Sequence, residues 1–150
     1  LSDNKKLARI SKTPGRTTEI NFFEVEEGYK LLDLPGYGFA KSGQSRIKDW
    51  GSLLGEYFAN RKALKGVLIF MDIRHPLKPI DLEMIKLCES FNIDYVAVLT
   101  KSDKVSKNIE AKTIHQVCNI TNAIEILAIS SLKKKGFEKL RKVLIGFKDE

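Results

Sequence analysis

The sequence predicts an α/β fold: a three-layer, doubly wound, mainly parallel sheet with one antiparallel edge hairpin. Three observations carry this. Apolar runs of strand length recur at Gly66–Ile73, Asp94–Thr100 and Glu125–Ser130. Segments with helical apolar spacing alternate with them, and that alternation builds parallel sheets with helices on both faces. Two short β-rich runs joined by a tight turn precede them, as in a hairpin.

The hairpin is "INFFEVEEGYKLLD": Ile20–Val25 and Tyr29–Asp33 flank the turn Glu26-Glu27-Gly28. In "SRIKDWGSLLGEYFANRKAL", Ile47, Trp50, Leu54 and Tyr57 or Phe58 fall at helical spacing. "GVLIFMDI" is continuously apolar, which predicts a strand covered on both faces. "PIDLEMIKLCESF" reads as a helix opened by Pro79. "DYVAVLT" is a second fully apolar strand. "SKNIEAKTIHQVCNI" is a helix with Ser106 as its N-cap. "EILAIS" is a third buried strand. "GFEKLRKVLIGF" closes with a helix whose Phe137, Leu140, Leu144 and Phe147 share one face.

The chain has 150 residues and predicts a single domain, 1–150. Its hydrophobic content of 43% supports a real core. No apolar run reaches the roughly eighteen residues of a membrane-spanning helix, and no secretory pattern opens the chain. Cys88 and Cys118 stand outside any CxxC and read as small buried apolar residues of a reducing cytoplasm. The net charge is +7, with basic clusters at Lys5–Arg16 and Lys133–Lys148. Such a balance suits a polyanionic partner or simply a basic surface.

In open sheets of this kind the binding crevice lies beyond the carboxyl ends of the strands. The loops after Asp33, Ile73, Thr100 and Ser130 are therefore expected on one rim. In "VLTKSD" a buried strand ends in Thr100-Lys101-Ser102-Asp103. One carboxylate there can accept the adjacent N1–H and N2 amino group of guanine, and the Lys101 stem can lie along a flat base. In "AISSLKKKG" the N–H groups of Ser131 and Leu132 can donate to guanine O6. Taken alone, both stretches also read as ordinary polar turns. In "LLDLPGYGFA" a strand stops on Asp33, and Gly36 leaves room for close backbone approach. A carboxylate beside phosphates suits Mg²⁺, which keeps several waters. The hairpin turn places Asn21 opposite Asp33, and Thr17 is within ~14 Å of chain from Asn21.

These segments, in this order, resemble the small GTPases: a switch I threonine, "DxxG", "xKxD" and a "SAx"-like turn. "KTPGRT", "INFFEV", "DLPGYGFA", "DIRHPLK" and "TKSD" resemble, more narrowly, the bacterial EngB (YihA-type) GTPases, from about Lys6 to the last helix. The resemblance implies a P-loop GTPase-like fold and a slow GTP hydrolase that switches with GTP and GDP in large ribosomal subunit assembly. The family is also linked to cell division and septation. It implies nucleotide contacts from Gly15, Arg16, Thr17, Thr18, Asp33, Leu34, Pro35, Gly36, Thr100, Lys101, Ser102, Asp103, Ile129, Ser130, Ser131 and Leu132. It implies Mg²⁺ held by Thr17 and, through water, by Asp33. A cytoplasmic monomer that meets ribosomal RNA and no membrane is the expectation.

Two departures qualify it. Tyr37 stands where Ras-like proteins carry a water-orienting glutamine, so the sequence names no catalytic group. No G-x-x-x-x-G-K-[ST] occurs, which predicts an N-terminally incomplete domain that lacks its first strand and, alone, its activity. The alternative is a nucleotide-free, GTPase-like basic module that binds RNA or protein. Arg74, His75 and Pro76 read as a rigid loop, His115 as structural and Trp50 as packing. Lys133–Lys135 reads as a solvated turn or an RNA contact.

Overall fold

A computed structural model describes residues 21–25, 29–33, 54–60 and 63–147. The chain divides into two units, Ser2–Leu54 and Gly55–Glu150.

The first unit holds the hairpin. Strand β1 (Asn21–Val25) pairs antiparallel with β2 (Tyr29–Asp33). The register sets Asn21 opposite Asp33, as the turn length requires.

The second unit is a three-layer α/β arrangement. Helix α1 covers residues 54–60, of which Gly55 onward belong to this unit. Strands β3 (Val67–Asp72), β4 (Tyr95–Thr100) and β5 (Glu125–Ala128) form a parallel sheet in the order β3-β4-β5. Helix α2 (Pro79–Ser90) links the first two strands and packs on β3. Helix α3 (Lys107–Ile120) leads to β5, and α4 (Phe137–Gly146) packs back on it. Pro79 is at the start of α2, where its missing N–H costs nothing. Ser106 caps α3, its hydroxyl accepting the Ile109 N–H at 3.4 Å.

β4 is the centre of the core. Tyr95, Val96, Ala97, Val98 and Leu99 are all buried. Val96 and Val98 join Leu127, Ile129 and Leu140 on one face, with Leu68, Phe137, Val143 and Phe147 around them. Ala97 and Leu99 are equally buried on the opposite face, so helices shield both sides. Phe58 of α1 is also buried and meets Phe91 edge-on at 6.2 Å.

Four expectations are corrected. β3 is not covered on both faces: Phe70 is 48% exposed. Among the described residues β3 pairs with β4 alone, whereas β4 pairs on both sides. β5 is only half-buried, with Glu125 exposed and Leu127 buried. Cys88 is buried, but Cys118 is exposed. On α4, Val143 rather than Leu144 joins the core cluster.

No described helix is long and apolar enough to cross a membrane.

Candidate nucleotide-binding site

The parallel register brings the carboxyl ends of β3, β4 and β5 to one rim. Backbone bonds stitch that rim together: Ile73 N–H donates to Thr100 at 3.1 Å, Ile129 N–H to Leu99 at 2.8 Å and Ser102 N–H to Ile129 at 3.0 Å. Thr100 adds its hydroxyl, which donates to the Met71 carbonyl at 3.0 Å. The chain then leaves β4 abruptly. Lys101 takes a left-handed conformation, with φ 60° and ψ 36°, and Ser102–Lys104 form a short 3₁₀ turn. A non-glycine residue in that region carries strain, which is common at ligand sites.

The turn delivers Asp103 to Ser130. The Ser130 hydroxyl is fully buried and donates to Asp103 Oδ1 at 2.5 Å. Ser130 Oγ also accepts the Lys133 N–H at 3.0 Å. Lys104 lies 3.7 Å from the other carboxylate oxygen. The Ser130 hydrogen bond holds the Asp103 carboxyl below its usual range. Asp103 is therefore ionised and aimed before any ligand arrives. A carboxylate offers about four acceptor sites, so these contacts leave room for two further N–H donors.

The next loop is closed into a compact turn. Ser130 and Lys135 exchange backbone bonds of 3.0 Å in both directions. Leu132 at its tip is 72% exposed. The N–H groups of Ser131 and Leu132 meet no acceptor among the described residues. Gly136 ends the turn at φ 83°, and a Cβ there would stand 2.5 Å from the Ala128 carbonyl oxygen. Only glycine meets both demands. Ser102 contributes a buried hydroxyl with no hydrogen-bond partner among the described residues.

A residue that sequence reasoning missed holds Lys101 at the same rim. Asp72, the last residue of β3, accepts from Arg74 N–H at 3.0 Å, Nε at 2.9 Å and Nη2 at 2.6 Å. It also accepts from Lys101 Nζ at 2.9 Å. The Arg74 guanidinium, with Lys101 behind it, holds the Asp72 carboxyl well below the ordinary carboxylate range. Arg74 thus stiffens its loop as expected, helped by the His75 N–H bond to the Asp72 carbonyl at 2.9 Å. The signal in the sequence was an acid closing an apolar run with an Arg two places on. His115 is exposed on α3 and touches Asn119 at 3.2 Å.

Asp33 is exposed at the end of β2, in the hairpin unit. Gly15, Arg16, Thr17, Thr18, Leu34, Pro35, Gly36, Tyr37 and Trp50 lie outside the described residues. No cluster of three or more His, Cys, Asp or Glu that could hold a metal occurs among the described residues. The exposed carboxylate of Asp33 is a hard oxygen donor, the type that suits an ion bound mostly by phosphate and water. Its donor type fits Mg²⁺.

Sheet order, rim and loops are those of an α/β protein, and the solved structures it resembles give it a P-loop GTPase-like fold. Similar proteins narrow this. A family model described as "50S ribosome-binding GTPase" matches residues 1–101. The "Probable GTP-binding protein EngB" of Sodalis glossinidius (strain morsitans) is 44% identical over 148 residues, covering 96% of this chain and 70% of that protein. Its counterpart in Salmonella newport (strain SL254) is 45% identical with the same coverage. A crystal structure of a probable GTP-binding protein engB shares the fold at TM-score 0.74 and 20% identity, over 93% of this chain and 84% of that one. Elongation factor SelB from Methanococcus maripaludis, in complex with the GTP analogue GppNHp, shares it at TM-score 0.63 and 23% identity, over 89% of this chain and 29% of that one. The chain belongs to the EngB family of GTP-binding proteins.

Proposed function

We propose that residues 1–150 belong to one G domain of a slow GTP hydrolase whose nucleotide state governs its part in large ribosomal subunit assembly. The observation that carries the reading is the ionised Asp103 aimed by the buried Ser130. A carboxylate so placed matches the paired N1–H and N2 donors of guanine and repels the acceptor edge of other bases. Lys101 offers its stem to the base plane. Ser131 and Leu132 offer N–H groups to O6. Thr100, Ser102, Ile129 and Ser130 frame the base through the rim's backbone bonds.

Phosphate contacts are assigned to Gly15, Arg16, Thr17, Thr18, Asp33, Leu34, Pro35 and Gly36. Mg²⁺ is assigned to Thr17 and, through water, to Asp33; bound there, it would supply charge neutralisation at the phosphates. Tyr37 takes the place of a water-orienting amide, which is why slow hydrolysis is proposed. The matching family model, described by ribosome binding, supports a ribosomal partner, as does the net charge of +7. A cytoplasmic monomer without a membrane partner, linked to cell division, completes the reading.

The test is a base swap on the full-length protein. Asp103→Asn reverses the hydrogen-bonding pattern, so it is expected to weaken GDP and GTP by about a hundredfold or more, the cost of unpaired polar groups. It is expected to favour xanthine nucleotides. Unchanged GTP affinity removes the assignment. Binding to ribosomal RNA with no measurable nucleotide affinity favours the nucleotide-free module instead.

A further inference from the structure

We propose that Asp72 is the positioning residue for Lys101 in base recognition: it anchors the Lys101 ammonium and so fixes where the stem runs under a bound purine. The inference rests on the guanine reading of Asp103 and Lys101 given above.

An exposed lysine is a poor platform by itself. The Lys101 side chain is 56% exposed, and its four-carbon stem loses substantial rotamer entropy when held in one path. An anchor already present in the free protein removes much of that cost from the binding step. Asp72 has the properties such an anchor needs. Its side chain is only 16% exposed. Arg74 holds it with a planar fork and a backbone N–H, a geometry that sets the carboxylate plane as well as its position. Its backbone pairs in register with Thr100, the residue before Lys101. The Ile73 N–H then locks onto the Thr100 carbonyl. Anchor and lysine therefore ride on the same strand pair and move as one piece.

The conformation of Lys101 also points this way. Leaving β4 with φ at 60° takes the chain off the strand path, and the side chain runs back to a residue 29 positions earlier at 2.9 Å. The strain has a return if it places the stem. A contrary account treats Asp72 and Arg74 as a self-contained loop staple, with Lys101 an incidental surface pair contributing little.

A double-mutant cycle on the full-length protein separates the two. The readout is the affinity for fluorescent mant-GDP and mant-GTP, with thermal unfolding as a check on the fold. Asp72→Asn, which keeps the shape and loses the charge, is expected to weaken both nucleotides about fivefold, the upper range for an exposed ion pair. Both fall alike because they share the base. In a Lys101→Met background, where the stem remains and the ammonium is gone, Asp72→Asn is expected to change nothing further. Asp72→Glu, which keeps the charge, is expected to restore affinity to within about twofold of wild type. Equal losses in both backgrounds, or no loss in Asp72→Asn, overturn the inference. If Lys101→Ala weakens binding and Asp72→Asn does not, only the positioning role fails. If Lys101→Ala leaves binding unchanged, the guanine reading of Lys101 fails and the inference with it.

Discussion

Ser130 shows how one buried hydroxyl can control a site it need not touch. It is fully buried, donates to Asp103 at 2.5 Å and accepts the Lys133 N–H at 3.0 Å. Ser130→Ala would leave that N–H unpaired and Asp103 unheld. A hydrogen bond to a charged group is stronger than one between neutral groups, so guanine-nucleotide affinity is expected to fall about tenfold. The pH dependence gives a sharper test. Binding needs the Asp103 carboxylate, whose pKa in the folded protein lies below the ordinary value. Affinity is therefore retained as pH falls through the usual carboxylate range and is lost only through the lower folded pKa. Without the Ser130 donor the pKa moves back up, and the acid limb of the binding curve shifts to higher pH. An acid limb in Ser130→Ala that coincides with wild type would show that the hydroxyl does not tune Asp103.

At the level of elements, periodicity fixes burial where one neighbour decides it and not where several do. The α3 cap, the α2 start and the hairpin register all depend on local rules, and they stand as the residues predict. The fate of each cysteine depends on a helix face. Thr113 and Val117 are the buried residues of α3. Cys118 is one step of about 100° beyond Val117 and turns to solvent. The exposure of Phe70 is not legible in the apolar run, because what packs over a strand face depends on tertiary structure that no local pattern encodes. Asp72 is not legible for a similar reason: its partner Lys101 comes within reach only through the β3–β4 register. The Asp103 and Ser130 loops were legible because each ends an apolar run, although the hydrogen bond between them was not. The cysteine contrast makes a direct prediction. Burial pushes the Cys88 thiol up to about 12, so at pH 8 it is neither accessible nor ionised. In native full-length protein treated with iodoacetamide, peptide mapping is expected to find Cys118 alkylated and Cys88 protected until denaturant is added. Rapid native labelling of Cys88 would contradict the packing of α2.

Across the whole molecule the charge is uneven as well as positive. The net value is +7, and the stretch from Lys133 to Lys142 holds Lys133, Lys134, Lys135, Lys139, Arg141 and Lys142 against a single Glu138. All six basic residues are exposed. Lys135 is spent on Glu110 at 2.9 Å. The other five make no ion pair among the described residues. Leu140 and Val143 turn α4 inward, which leaves its outer face to Lys139, Arg141 and Lys142. Free cations next to the proposed base-reading turn are what a phosphate backbone would meet. If large-subunit RNA is the partner, association is counterion release, and each phosphate contact contributes about 0.7–0.9 to the log–log salt slope. Pelleting full-length protein with large ribosomal subunits across a salt series measures that slope directly. Replacing Lys133, Lys134, Lys139 and Lys142 together with Gln is expected to flatten it by about three units while leaving mant-GDP affinity within about twofold, because exposed charges of this kind couple weakly to their neighbours. A slope that the four substitutions do not change would move the ribosomal contact away from α4 and its preceding turn. A loss of nucleotide affinity of the same size as the loss of subunit binding would instead mean that these lysines act on the base-reading loop.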